Sequence, residues 1–352
     1  MNIDRKIEVF SKLGKALSRL GVEEDFSLLE REGWEAAAFK TAVDNAIEAN
    51  AWFSPESVFQ MLYILGVSLD RQDMEGWIGK YDMAKAQKQK TVALVMAGNI
   101  PAVGFHDFLA VIMAGHKVLA KLSSDDKYLI PAIAQLLISE DAGFKELIEF
   151  TEDTITGFDA VIATGSNNTS RYFNHYFGKY PHIIRKNRNA LAVISGTEDD
   201  ESLQFLGDDI FMYYGLGCRN VSKIYIPKDY DLKVFFSAIE KFSATADHHK
   251  YRNNYDYNKS IFLVNGDEHL DNGFLLLKEA ASMASPVSVL HFERYDDIDE
   301  VNRFISKEAD NIQCVISDDP DVSTALPPGT GQYPKLWDYA DGVDTMEFLL
   351  NL

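Results

Sequence analysis

Apolar residues recur at helical spacing through the first part of the chain. Ile3, Ile7, Phe10, Leu13, Leu17 and Leu20 fall on one face of a helix. Ser54-Pro55 is a helix start, an N-cap followed by a residue whose fixed φ suits the first turn. Val58, Met61, Leu62 and Leu65 then mark the buried stripe of a helix running to Leu69. Residues 1–88 therefore read as a helical segment, ending in a Lys- and Gln-rich run that predicts an exposed connector. At Thr91 the pattern changes to short, continuous, β-prone apolar runs at 91–97, 117–122, 159–164, 191–195, 222–226, 260–264, 287–292 and 312–317. Runs of this kind suit strands buried on both faces. Helical stretches lie between most of them, including 102–114, 168–177 and 201–214, and this alternation predicts an α/β protein with largely parallel sheets. Pro327-Pro328-Gly329-Thr330-Gly331 reads as a loop and 341–352 as a closing segment.

Composition narrows the function classes. The net charge of −20 over 352 residues excludes a general nucleic-acid binder, which needs a cationic face. It also argues against an anionic membrane surface. No apolar run is long enough to span a bilayer, and the charged, amphipathic N-terminus is unlike a signal peptide. Two cysteines in a chain of this length make no disulfide framework. Together these predict a cytoplasmic protein without an integral membrane segment.

Cys218 follows two glycines in Tyr214-Gly215-Leu216-Gly217-Cys218-Arg219-Asn220, between a predicted helix and a predicted strand. Glycines there permit close approach of a ligand to the backbone, and Arg219 favours a thiolate if it points inward. The segment equally suits a buried structural thiol, as does Cys314 in its apolar strand. Gly165-Ser166, between a predicted strand and helix, is either an anion-binding turn or an ordinary connection. Lys121 at a strand end is a ligand contact or a solvated lysine, and Asn99 is a site residue or a turn asparagine. His106-Asp107 is an acid–base pair or a helix start with a favourably placed acid. His248-His249 has no further ligands nearby, so no metal site is predicted.

From Gly215 to Ile224 the sequence resembles the catalytic-cysteine motif of the aldehyde dehydrogenase superfamily. Other segments resemble its motifs in the same order: Gly98-Asn99-Ile100-Pro101 (oxyanion asparagine), 114–123 (the strand ending in the ribose-binding lysine, Lys121, with Ser123 beyond it), Ala163-Thr164-Gly165-Ser166 (pyrophosphate turn) and 285–290. Two departures narrow the resemblance. Arg185 occupies the place of the hydrolytic general-base glutamate, and Ser282 that of the second cofactor-binding glutamate. With 331–334 and 341–344, these features resemble the acyl-CoA reductase family typified by the bioluminescence fatty-acid reductase (LuxC-type), over roughly 88–350.

The resemblance implies an aldehyde dehydrogenase-like fold: two parallel-sheet α/β domains with an N-terminal helical segment. It divides the chain into 1–88 (helices packing on the cofactor domain), 89–190 (NAD(P)-binding, Rossmann-like), 191–326 (the domain of Cys218) and 327–352 (a closing segment). It implies NAD(P)H-dependent reduction of an acyl-CoA thioester, fatty by preference, to the aldehyde through an S-acyl-Cys218 intermediate, with coenzyme A leaving. Asn99 assists the oxyanion; Lys121, Ser123, Gly165 and Ser166 hold the cofactor; Arg185 and His106 are candidates toward substrate. NADPH is favoured over NADH, because Ser124 stands where a carboxylate would repel a 2′-phosphate. A homo-oligomer and a loading acyl-protein synthetase or carrier protein are further expectations. The alternatives are a short-chain CoA-acylating aldehyde dehydrogenase, an acyl-phosphate reductase, and a non-catalytic acyl-holding or scaffold subunit.

Overall fold

The structure, a computed structural model, describes residues 1–86, 88–165 and 167–352. The chain divides into two compact units, Met1–Asn187 with Pro334–Leu352, and Arg188–Tyr333. No helix among the described residues is long and apolar enough to cross a membrane.

The first unit opens with the predicted helices: α1 (Ile3–Glu23), α2 (Ser27–Arg31), α3 (Ala36–Ala49), α4 (Pro55–Ser68) and α5 (Arg71–Ile78). Ser54 caps α4 by accepting from Ser57 N, with Pro55 in the first turn. α1 and α4 approach closely because glycine faces backbone: a Cβ on Gly66 would lie 2.2 Å from Ser18 N. A five-stranded parallel sheet follows, of β1 (Thr91–Val95), β2 (Lys117–Lys121), β3 (Ile148–Thr151), β4 (Ala160–Thr164) and β5 (His182–Arg185), in the order β3-β2-β1-β4-β5. Its crossovers include α6 (Phe105–Met113), α7 (Leu129–Glu140) and α8 (Asn167–Phe177). Strand centres such as Val92-Ala93-Leu94 and Val161-Ile162-Ala163 are buried, as the continuous apolar runs require. The chain builds outward from β1 to β3, then returns to place β4 beside β1. The carboxyl ends of β1 and β4 therefore flank a topological switch point, where open α/β sheets bind ligands.

The second unit holds β6 (Asn189–Val193), α9 (Asp200–Phe211), β7 (Val221–Pro227), α10 (Leu232–Ala238), α11 (His249–Asn265), β8 (Leu270–Asp271), β9 (Leu276–Glu279), β10 (Val289–Tyr295), α12 (Ile298–Lys307) and β11 (Ile312–Ile316). Its sheet order is β11-β6-β7-β10-β9-β8, parallel except for the β8–β9 pair. The apolar core under this sheet includes Ile224, Ile226, Phe235, Leu277 and Leu290. The strand expected at 260–264 is instead the end of α11. Tyr251, Tyr255, Asn258 and Phe262 are its buried positions, a helical period, while Leu263 and Val264 are exposed. The five-residue apolar run was too short to decide against that longer period.

The last residues return to the first unit as α13 (Thr345–Leu350), with Met346, Leu349 and Leu350 buried. Trp77 Nε1 donates to the Tyr339 hydroxyl at 2.6 Å, and Tyr81 donates to Asp344 at 2.8 Å. The segment predicted to close the chain as one piece thus divides: 327–333 stay with the second unit and 334–352 with the first.

Candidate active site

Most of the predicted cofactor residues gather on the carboxyl edge of the first unit's sheet. Lys121 ends β2, in register with Val95 of β1, and no ion-pair partner of its ammonium is found among the described residues. Beyond β1, Gly98 is buried against the loop after β2. A Cβ there would meet Ser123 Oγ at 2.6 Å and Asp126 N at 3.0 Å, so glycine is required for the two loops to touch. Asn99 follows, with its residue exposed. Ser123 also shapes its own loop, accepting from Asp125 N at 3.2 Å. Asp126 holds both loops together: it is buried and accepts from Ala102 N (2.7 Å) and Leu129 N (3.4 Å). Burial raises its carboxyl above the usual range, against those hydrogen bonds. Ala102, at φ 48°, turns the chain before α6, so that helix begins at Phe105 rather than at Ala102.

Gly165 lies between β4 and α8, and a Cβ on it would stand 2.9 Å from the Phe173 ring. Its predicted companion Ser166 lies outside the described residues. Arg185 ends β5 with its guanidinium buried. Nη2 donates to Asp107 Oδ1 at 2.8 Å and to Thr345 Oγ1 at 2.9 Å, while Nε has no partner among the described residues. His106 packs between Trp77 and Tyr339, with Nε2 2.9 Å from Leu336 O; burial lowers its pKa. Both residues are thus engaged with helix and tail of their own unit.

In the second unit, Cys218 is exposed, which removes the buried-thiol alternative. Cys314 is half-buried, with its sulfur 4.0 Å from Arg219 O. The predicted helix before Cys218 stops at Phe211. Tyr213, Tyr214 and Gly215 then take left-handed backbone (φ 52°, 58° and 76°). That conformation costs about 1–2 kcal/mol for each tyrosine and needs fixing from outside. The Tyr214 ring packs at a tilt against His248, with centroids 4.2 Å apart. Asn220, to which the motif assigns no role, supplies the rest. It is 3% exposed; its Oδ1 accepts from Gly217 N at 2.8 Å, and its Nδ2 donates to Met212 O (2.8 Å) and Asp209 O (3.1 Å). Its backbone N–H closes the turn on Gly217 O at 3.0 Å. The thiol therefore rides on a four-residue turn stapled from below, leading straight into β7. Such pre-organisation suits a nucleophile whose own N–H must face a developing oxyanion.

Beside this turn in the sheet, the segment at Ser282 is pinned by three side chains. Lys223 Nζ donates to Ala281 O (2.8 Å), Ser222 Oγ to Met283 O (2.8 Å), and His291 Nδ1 lies 2.9 Å from Ser282 O. Lys223 is fully buried and ion-paired with Glu293. Among the described residues no cluster of His, Cys, Asp or Glu stands ready to hold a metal.

The family model described as acyl-CoA reductase (LuxC) matches residues 67–240. A long-chain acyl-protein thioester reductase of Aliivibrio fischeri is 23% identical over 184 residues, 48% of this chain. The match spans only 38% of that protein's length. Among solved structures, aldehyde dehydrogenase 21 of Physcomitrella patens, in complex with succinate, is similar with a TM-score of 0.59 at 14% identity, covering 92% of this chain and 75% of that one. An NAD+ complex of an aldehyde dehydrogenase from Bacillus cereus gives 0.58 at 13%, covering 91% and 73%. The chain has the aldehyde dehydrogenase fold, and over residues 67–240 it is similar to the acyl-CoA reductase (LuxC) family.

Proposed function

We propose that the protein reduces an acyl thioester, fatty by preference, to the aldehyde through an S-acyl intermediate on Cys218. The observation that carries this reading is the exposed Cys218 thiol on a turn stapled by Asn220. The thiolate attacks the thioester carbonyl, a C–S bond forms, and the oxyanion is held by the Cys218 N–H and, by the resemblance, the Asn99 amide. Donors so placed contribute a few kcal/mol each. The tetrahedral adduct expels the thiolate of coenzyme A or of a carrier protein and leaves the acyl group on Cys218. A nicotinamide bound at the sheet edge would supply the hydride for the acyl carbon, after which the C–S bond breaks, the aldehyde leaves and the Cys218 thiolate is restored.

The residues present fit such a cofactor. Lys121 is uncommitted at a strand end, and Gly165 opens the connection into α8 at the switch point. NADPH is the preferred form on this reading, with Ser124 exposed where a carboxylate would repel the 2′-phosphate. Arg185 supports reduction over hydrolysis: a guanidinium already bound to Asp107 cannot deprotonate water. The name of the Aliivibrio relative supports an acyl-protein donor, and a homo-oligomer in the cytoplasm belongs to the same reading.

The test is oxidation of NADPH or NADH with thioesters from acetyl to palmitoyl, run beside Cys218→Ala, with mass spectrometry of the protein after thioester alone. Turnover and an acyl adduct, both lost in the variant, are expected. An adduct without turnover would support an acyl-holding subunit. Turnover surviving in Cys218→Ala would overturn the assignment.

A further inference from the structure

Asp209 is fully buried on α9 and is not ion-paired at contact distance. A carboxylate in such a place is costly unless its oxygens are satisfied. Here each oxygen takes one backbone N–H: Gly329 N to Oδ2 at 2.7 Å and Gly331 N to Oδ1 at 2.8 Å. The acid therefore gathers the loop Pro327-Pro328-Gly329-Thr330-Gly331 onto the helix. Glycine is needed at 331, because a Cβ would fall 2.6 Å from Oδ1. The carbonyl of the same Gly331 receives the Nε–H of Arg219, the residue after the thiol. Asp209's own carbonyl accepts from Asn220, which closes the thiol's turn. The buried side chain thus joins α9 to the 327–331 loop and, through Gly331, to Arg219, while the main-chain carbonyl of the same residue holds Asn220. Apart from Arg219, the charged group facing Asp209 is Asp208 on its own helix; the loop contributes none.

We propose that Asp209 is a positioning residue for Cys218: through Gly331 it fixes the Arg219 guanidinium, and through that the reactivity of the thiol. This rests on the reading of Cys218 as the nucleophile, but its test does not require turnover. Asp209→Asn is isosteric and presents an NH2 group to one of the two N–H groups, so the loop loses one tether. The measurement is the rate of Cys218 alkylation by iodoacetamide against pH, followed on the Cys218 peptide by mass spectrometry, with a thermal melt alongside.

In a folded Asp209→Asn protein the thiol's titration midpoint rises by about half a unit and its rate at neutral pH falls about threefold, the effect expected of loosening the cation next to it in the chain. Its high-pH plateau is unchanged. Arg219→Gln gives the same shift, and adding Asp209→Asn to it changes nothing further. A folded Asp209→Asn whose profile overlays the wild type, or shifts that add in the double variant, would overturn the proposal. If Asp209→Asn does not fold, Gly331→Ala breaks the same contact from the loop side and is read identically. If neither folds, the acid serves the fold alone and the proposal fails. Thioester turnover surviving in Cys218→Ala would sink the functional reading and leave this result standing.

Discussion

The pairing of Arg185 with Asp107 predicts how this position behaves when either partner is removed. Their side chains are 6% and 12% exposed, and the guanidinium already has one nitrogen without a partner. Asp107→Leu leaves a buried cation with only Thr345, which costs about 3–5 kcal/mol. Arg185→Met strands a carboxylate in the first turn of α6, where the helix N-terminus offsets part of the loss, so about 2 kcal/mol is expected. The double variant Arg185→Met/Asp107→Leu replaces the pair by apolar side chains and comes out near neutral, with a coupling of about 3 kcal/mol or more. Intrinsic tryptophan emission in urea is a selective assay, because all four tryptophans (Trp34, Trp52, Trp77 and Trp337) lie in the first unit. A loss of this size moves the Asp107→Leu midpoint down by about 1 M or more. If Arg185 serves the fold, the double variant also keeps the proposed thioester reduction. All three variants falling within about 1 kcal/mol of the wild type would refute the energetic argument. A stable double variant without turnover would instead place Arg185 against the substrate.

Gly66→Ala drives a Cβ into the backbone of α1 and costs about 3 kcal/mol in the same urea assay, whereas Gly76→Ala, whose Cβ meets nothing, gains about 1 kcal/mol. Burial lowers the Lys6 ammonium from 10.5 to about 8. The folded state therefore binds fewer protons than the unfolded chain between those values. Its penalty is constant below about 8 and is relieved as pH rises toward 10.5, so wild type gains roughly 3 kcal/mol over that window relative to Lys6→Met; parallel urea curves would contradict this. Asn220→Ala leaves Gly217 N and the Met212 and Asp209 carbonyls unsatisfied. A loss of about 2–4 kcal/mol is expected, read as a lower melting temperature by circular dichroism, and an unchanged melt would count against the staple.

The sequence showed the elements whose signal is local. The continuous apolar runs at β1, β2, β4, β7, β10 and β11 are buried parallel strands, and Ser54-Pro55 starts its helix where expected. β3 and β5 carry too few apolar residues, with Glu149 and His182 among their four positions, to stand out from loops. They are strands because neighbours in the sheet supply the hydrogen bonds. α11 misled for the opposite reason: its last apolar residues are exposed, so local hydrophobicity pointed the wrong way.

The site divides along the same line. The candidate ligand-contacting residues sit next to glycine or at strand ends, and that pattern is visible in a one-dimensional string. Residues that hold those in place are visible only through their partners. Asp209 reads as one acid of an Asp208-Asp209 pair in a helix, and nothing local separates it from its neighbour. What separates them is distance in the chain: Asp209 meets the N–H groups of Gly329 and Gly331, about 120 residues on. A buried acid without a cation in contact is retained only where both oxygens are satisfied by atoms fixed by the fold. The bond to Gly331 that makes Asp209 tolerable also leads to Arg219, and so its cost and its effect on the thiol have one origin.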